Sequence, residues 1–180
     1  ADVFGGAVMS RDKRVAQDII DCGDDWGISL GPDDAYTALR GLRSLKTRMD
    51  AHEAAGLRIA NWLSERPEVS QVLHPALEQH PDHVIWKRDF TGSNGLFSVI
   101  LNTGSPEGLK RFFDALELFS MGFSWGGFES LIIPCDPQLK RSKGHWIDQK
   151  VGPLLRIHVG LETVDDLIAD LRAGFEAMGE

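Results

Sequence analysis

Apolar residues recur along the chain with two periods, and the points where one gives way to the other divide it into elements. The run Val3–Met9 predicts a short buried strand. Val15 and Ile19, four apart, put one apolar face on a helix over about Arg11–Cys22. The glycine-rich CGDDWGISLGP then breaks the pattern. Pro32 suits a first helical position, and Asp33 and Asp34 complement the dipole of the first turn, so a long helix opens there. Leu39, Leu42, Leu45 and Met49 continue it at helical spacing to Trp62 and Leu63, ahead of Pro67. Gly41 and Gly56 are its expected weak points.

Beyond Pro67, Val69–Leu73 and Leu96–Leu101 predict strands separated by a polar stretch holding His80, Pro81 and His83. Ser105-Pro106 opens a helix whose Leu109, Phe112, Phe113, Leu116 and Phe119 form one broad apolar face. After a loop from Cys135 to Pro153, LLRIHVG alternates. That alternation sets Leu154, Arg156 and His158 on one side of a strand and Leu155, Ile157 and Val159 on the other. Thr163 caps a last helix carrying Val164, Leu167, Ile168, Leu171, Phe175 and Met178. The pattern as a whole predicts an α+β domain over residues 32–180, a small sheet with helices on one face, preceded by residues 1–31 as the tail of a different domain.

Composition sharpens this picture by exclusion. At 180 residues, 42% hydrophobic and 26% charged, the chain can bury a sizeable core and is not of disordered composition. Its net charge of -8, without a basic stripe, argues against nucleic acid as a partner and leaves small metabolites open. No apolar run approaches a membrane span, and ADVFGGAVMS lacks the basic start of a signal peptide. Cys22 and Cys135 stand far apart with no paired-cysteine metal motif, which fits a reducing, cytoplasmic setting. The opening on Ala1 fits a piece cut from a longer chain, and equally the loss of an initiator Met.

Three features could carry chemistry. Arg156 stands mid-strand among apolar residues, where a guanidinium needs an anion such as a carboxylate gripped bidentately. The competing reading, which periodicity alone favours, is an arginine reaching solvent or pairing with a structural acid such as Glu129. In MGFSWGGFESL, Ser124 and Trp125 could present a hydroxyl, an indole and backbone amides to a ligand, with Gly126 and Gly127 allowing close approach. A tight turn around a core tryptophan explains the same letters. His74, His80 and His83 lack the spacing of a metal site and are expected as solvated loop residues. The seven lysines, Lys13, Lys46, Lys87, Lys110, Lys140, Lys143 and Lys150, lie mostly in charged surface contexts.

The segments DDAYTALRGLRSLKTRMDAHE, HPALEQHPDHVIWKRDFTGSNGLFSVIL, FSMGFSWGGFESLI and LLRIHVGLETVDDLIADL, in that order, resemble the C-terminal part of the pyridoxal-phosphate-dependent enzymes of cysteine and methionine metabolism. Trp125 and WKRDFTGSNGLFS are similar to the cystathionine β-lyase branch; γ-synthases and γ-lyases more often have Leu at that position. The resemblance implies a fold-type I parent like aspartate aminotransferase, with a large cofactor domain ending near residue 31 and a small domain after it. It implies β-elimination from L-cystathionine, in methionine biosynthesis and sulfur amino-acid metabolism, by a cytoplasmic homo-oligomer, dimer or tetramer. It further implies that Phe123-Ser124-Trp125 borders the active site and that Arg156 grips the α-carboxylate of the amino-acid substrate. Phe123 departs from the expected Tyr and receives no hydrogen-bonding role.

The same resemblance marks an absence. The family holds pyridoxal 5′-phosphate on a lysine in a Ser-x-Thr-Lys motif, expected a few residues before the part matching ADVFGGAVMS, and this sequence has no such motif. The chain by itself is therefore expected to carry no catalytic lysine, to bind no cofactor and to be inactive. A γ-acting relative and a non-catalytic binding or assembly domain are the alternative expectations.

Overall fold

The computed structural model describes residues 3–102, 104–140 and 152–179, so the middle of the predicted loop from Cys135 to Pro153, with Lys143 and Lys150, lies outside the described residues. The chain divides into two compact units, Ala1–Thr47 and Arg48–Glu180.

In the first unit, helix α1 spans Lys13–Trp26. The Asp12 side chain caps its start, accepting from the amides of Arg14 and Val15 at 2.8 and 3.2 Å. The helix passes the predicted end at Cys22 because the signal that stops it is not Gly23. It is Gly27, whose φ of 65° takes the left-handed cap while its amide donates to the Asp24 carbonyl. The predicted strand over Val3–Met9 is not formed. Those residues are non-regular and nearly all exposed, and no described strand pairs with them. An apolar run without a ladder partner has nowhere to place its backbone hydrogen bonds as a strand.

Helix α2 runs unbroken over Pro32–Ser64, through both glycines. Within the second unit its buried residues are His52, Ala55, Gly56, Ile59, Ala60 and Leu63, one stripe at three- and four-residue spacing. Gly56 is a site of close approach instead of a weak point. A Cβ there would stand 2.9 Å from the Asn94 carbonyl oxygen.

Five strands, β1 (Val69–Leu73), β2 (Leu96–Leu101), β3 (Ser120–Met121), β4 (Leu131–Pro134) and β5 (Leu154–His158), form one mixed sheet of order β1-β2-β5-β4-β3. Among the described strands only β3 and β4 run parallel. Phe97, Val99 and Leu101 of β2, Ile132 of β4 and Leu155 and Ile157 of β5 point into the core. There they meet α2 and the pair α4 (Pro106–Asp114) and α5 (Val164–Gly179). Phe112 of α4 stacks against Phe175 of α5 at 5.2 Å.

Three departures from the sequence pattern have local causes. A short helix α3, His83–Asp89, occupies the polar stretch; none of its residues is buried, so it leaves no apolar stripe to detect. Helix α4 stops at Asp114, and Phe119 enters the core from the segment beyond it. There the Asp170 carboxylate of α5 accepts from the amides of Glu117, Leu118 and Phe119 at 2.7, 3.0 and 2.9 Å. Strands β3 and β4 flank the glycine-rich segment and are too short to show alternation. No described helix is long and apolar enough to cross a membrane.

Candidate active site

The alternation along β5 holds. Leu155 and Ile157 face the core, while Arg156 and His158 stand on the opposite face, Arg156 between Ser98 of β2 and Ile133 of β4. Arg156 reaches over the loop joining β3 to β4. Its Nη2 donates to the Phe123 carbonyl at 2.7 Å, with the Gly122 and Ser124 carbonyls at 3.3 and 3.5 Å. No described carboxylate pairs with it, and the ion pair with Glu129 is not formed.

The loop it holds carries Ser124 and Trp125. Trp125 is 60% exposed and lies outside the core, as do Phe123 and Phe128. Gly126 has φ 83°, a backbone conformation that side chains with a Cβ rarely take, so the first glycine of the pair is demanded by the turn. Gly127 has no such angle.

Below the turn, the segment is fixed by residues that periodicity did not single out. Ser130 is fully buried; its amide and hydroxyl donate to the Glu162 carboxylate at 2.7 and 2.8 Å, and its Oγ accepts from the Gly160 amide at 2.8 Å. The Leu161 amide donates to the Phe128 carbonyl at 2.9 Å. Gly160 has to be glycine, since a Cβ would stand 2.2 Å from the Phe128 oxygen. The two motifs GGFES and GLE are thus one contact across 32 residues, a fact carried by no local pattern.

Histidines behave differently from expectation. His74, expected in solvent, is 3% exposed, packs on Phe97 at 5.4 Å and uses Nδ1 to accept from the Ala76 amide. Burial pushes its imidazole below the ordinary value, with the Asn94 carbonyl pulling the other way. His74 also lines a pocket of about 330 Å³ with Trp86 and Phe90, away from Arg156. His80 and His83 engage the Asp82 amide and the Pro75 carbonyl. Among the described residues no group of side chains could hold a metal ion.

Among the described residues no lysine stands in a sheltered setting that would suit pyridoxal phosphate. Lys13, Lys46, Lys87, Lys110 and Lys140 are all exposed, and Lys110 is engaged with Asp114. An amine has to be unprotonated to condense with the cofactor's aldehyde, and sites that achieve this shelter the lysine from water. Cys135, half-buried beside Arg156, has its thiol pushed up by burial.

Residues 1–176 match the family described as Cys/Met metabolism PLP-dependent enzyme. Cystathionine beta-lyase of Salmonella typhimurium is 50% identical over 151 residues, covering 83% of this chain and 38% of that protein. Cystathionine beta-lyase of Haemophilus influenzae is 45% identical over 152 residues, with the same coverage. A solved cystathionine gamma synthase from Xanthomonas oryzae pv. oryzae, in complex with cystathionine, superposes with a TM-score of 0.82 at 31% identity. That superposition covers 95% of this chain and 45% of the synthase. The chain thus spans about two-fifths of the length of the curated relatives it matches.

Proposed function

Because the chain belongs to the Cys/Met metabolism PLP-dependent enzyme family, we propose that it supplies the carboxylate-binding side of a carbon–sulfur β-lyase acting on L-cystathionine. Residues 1–31 are in this reading the end of the cofactor domain and residues 32–180 the small domain. The products are homocysteine, pyruvate and ammonia. β-Elimination removes the Cα hydrogen and breaks the Cβ–S bond. The base and the electron sink for that chemistry belong to the cofactor and its lysine, a role that the described lysines of this chain do not fit.

The observation that carries the reading is Arg156, a cation on the outer face of the sheet with backbone carbonyls but no described carboxylate as partner. A carboxylate gripped by a guanidinium fork uses Nη2 together with Nε or Nη1. Nη2 is also the nitrogen that holds Phe123. Substrate binding and the seating of the loop therefore share one group. Ser124 and Trp125, on that loop, are the proposed neighbouring substrate contacts. The names of the two relatives at 50% and 45% identity support β-cleavage.

The similarity to a cystathionine gamma synthase favours a second reading, in which the Cγ–S bond is the one handled. The experiment that separates them supplies L-cystathionine to the cofactor-loaded enzyme containing this chain and identifies the keto acid. Pyruvate with homocysteine supports the β-lyase. 2-Oxobutyrate with cysteine supports the γ-acting alternative, and neither keto acid sinks both.

A further inference from the structure

Arg156 and His158 stand two residues apart on β5 and so face the same side of the sheet. Each grips a different part of the loop between β3 and β4: Arg156 the carbonyls of residues 122–124, His158 the glycine turn. The His158 ring is 2% exposed. Its Nε2 lies 3.1 Å from the Gly126 amide nitrogen and 3.2 Å from the Gly127 carbonyl oxygen. One ring nitrogen cannot accept from an amide and donate to a carbonyl at the same time. With the ring proton on Nδ1, Nε2 accepts from Gly126. With the proton on Nε2 alone, that nitrogen donates to Gly127 and the Gly126 N–H is left with Nδ1 at 3.5 Å. In the imidazolium both nitrogens carry protons, Nε2 donates to Gly127 and the Gly126 N–H has no acceptor on the ring.

We infer that His158 is the positioning residue of the Gly126–Gly127 turn. The turn has two settings selected by the proton on Nε2, and acidification commits it to the Gly127-bound one, shifting Ser124 and Trp125. Their role as substrate contacts rests on the β-lyase reading above; the behaviour of the turn does not. Gly126, with φ 83° and open space where a Cβ would be, lets the peptide on either side turn without moving a side chain.

The charged and titratable surroundings of the ring set the direction. From α2, His52 lies 5.5 Å away between ring centroids, with Nδ1 on the Val159 carbonyl at 2.9 Å and Nε2 without a partner. Across the sheet, β2 and β4 place uncharged Leu96 and Leu131 opposite His158. Glu129 faces Gly127 from the loop itself. Burial holds the His158 imidazole below its ordinary value; His52 and Arg156 act in the same direction, while the Gly127 carbonyl and Glu162 oppose them. At neutral pH the ring is therefore neutral and both settings are open to it. Once the pH falls below the lowered folded-state pKa, only one is.

Hydrogen exchange of the peptide covering residues 123–131, followed in steps from about pH 8 down to the lowest pH at which the chain stays folded and corrected for intrinsic rates, reads the turn directly in the full chain. In the wild type, protection of the Gly126 amide should fall across that range by about fivefold, the factor one ordinary hydrogen bond carries. In His158→Gln, whose amide does not titrate, protection should be the same throughout. In the cofactor-loaded enzyme, KM for cystathionine should rise by a similar factor on acidification in the wild type and stay level in the variant, with kcat moving less. Protection that is independent of pH in the wild type, which needs no variant to fold, overturns the inference. So does a pH response that survives in His158→Gln. If exchange responds to His158 while cystathionine is not turned over, the turn behaves as inferred and the reaction assignment is what fails.

Discussion

At the scale of single residues, Trp125 separates folding from function most cleanly. Its indole is 60% exposed on a turn whose backbone is set by Gly126, so removing it empties no core. Trp125→Leu should leave stability within about 0.5 kcal/mol of the wild type, as exposed substitutions generally do. If the indole walls the substrate site, the same change should shift the ratio of kcat/KM between β- and γ-elimination substrates by about tenfold, the order a resized pocket wall gives. Thermal melts and a two-substrate assay measure both quantities. A large drop in melting temperature with an unaltered ratio would return Trp125 to a structural role. The place of Arg156 on the face of β5 turned away from Leu155 and Ile157 was legible from the alternation, although periodicity alone favoured a structural arginine over a binding one. Ser130, Glu162 and His158 were not singled out, because their meaning lies in contacts more than 30 residues apart that no period encodes.

Among elements, α2 after residue 48, β1, β2, β5 and α5 were legible for a common reason: each carries enough buried apolar residues for its period or its β-branched run to stand out from the turns that bound it. The short β3 and β4, and α3 with nothing buried, escaped because tertiary hydrogen bonds and not periodicity define them. The end of α4 belongs to the same group. The chain leaves the helix at Asp114 because Asp170, 8% exposed on α5, offers two oxygens to the three amides that follow. Asp170→Ala should destabilise the protein by about 2 kcal/mol. The figure is kept low because only the Phe119 amide belongs to a buried residue, while Glu117 and Leu118 are exposed and can turn to water. Urea unfolding of the wild type and variant checks it. A midpoint unchanged within error would mean that packing of Phe119, and not the carboxylate, holds this corner.

Across the whole molecule, two forces pull stability in opposite directions as pH falls. Net charge is -8 and the isoelectric point near 5.2, so acidification relieves self-repulsion and should stabilise. Against this stand His74 and His158, both buried neutral with pKa values depressed from 6.5. For a depressed histidine the unfolded state takes up the proton first, so stability is complete above about pH 6.5 and is lost as pH drops from there toward the folded pKa. Each such group contributes a slope of up to about 1.4 kcal/mol per pH unit inside that window. Repulsion between exposed carboxylates is damped within about 8 Å at physiological salt, so the histidine slope should win. A separate loss follows below about pH 4.5, where Glu68 takes up a proton: burial pushes its carboxyl up, but the hydrogen bonds and charge of Arg66 together with its own backbone amide outweigh that and hold it low. Denaturant midpoints measured from about pH 8 down to about pH 5 should therefore fall, and fall equally at low and high salt, because buried rings are poorly screened. His74→Gln and His158→Gln should each flatten the curve. A midpoint that rises on acidification at low salt, and loses that rise at high salt, would show that surface charge and not the buried imidazoles governs the acid limb.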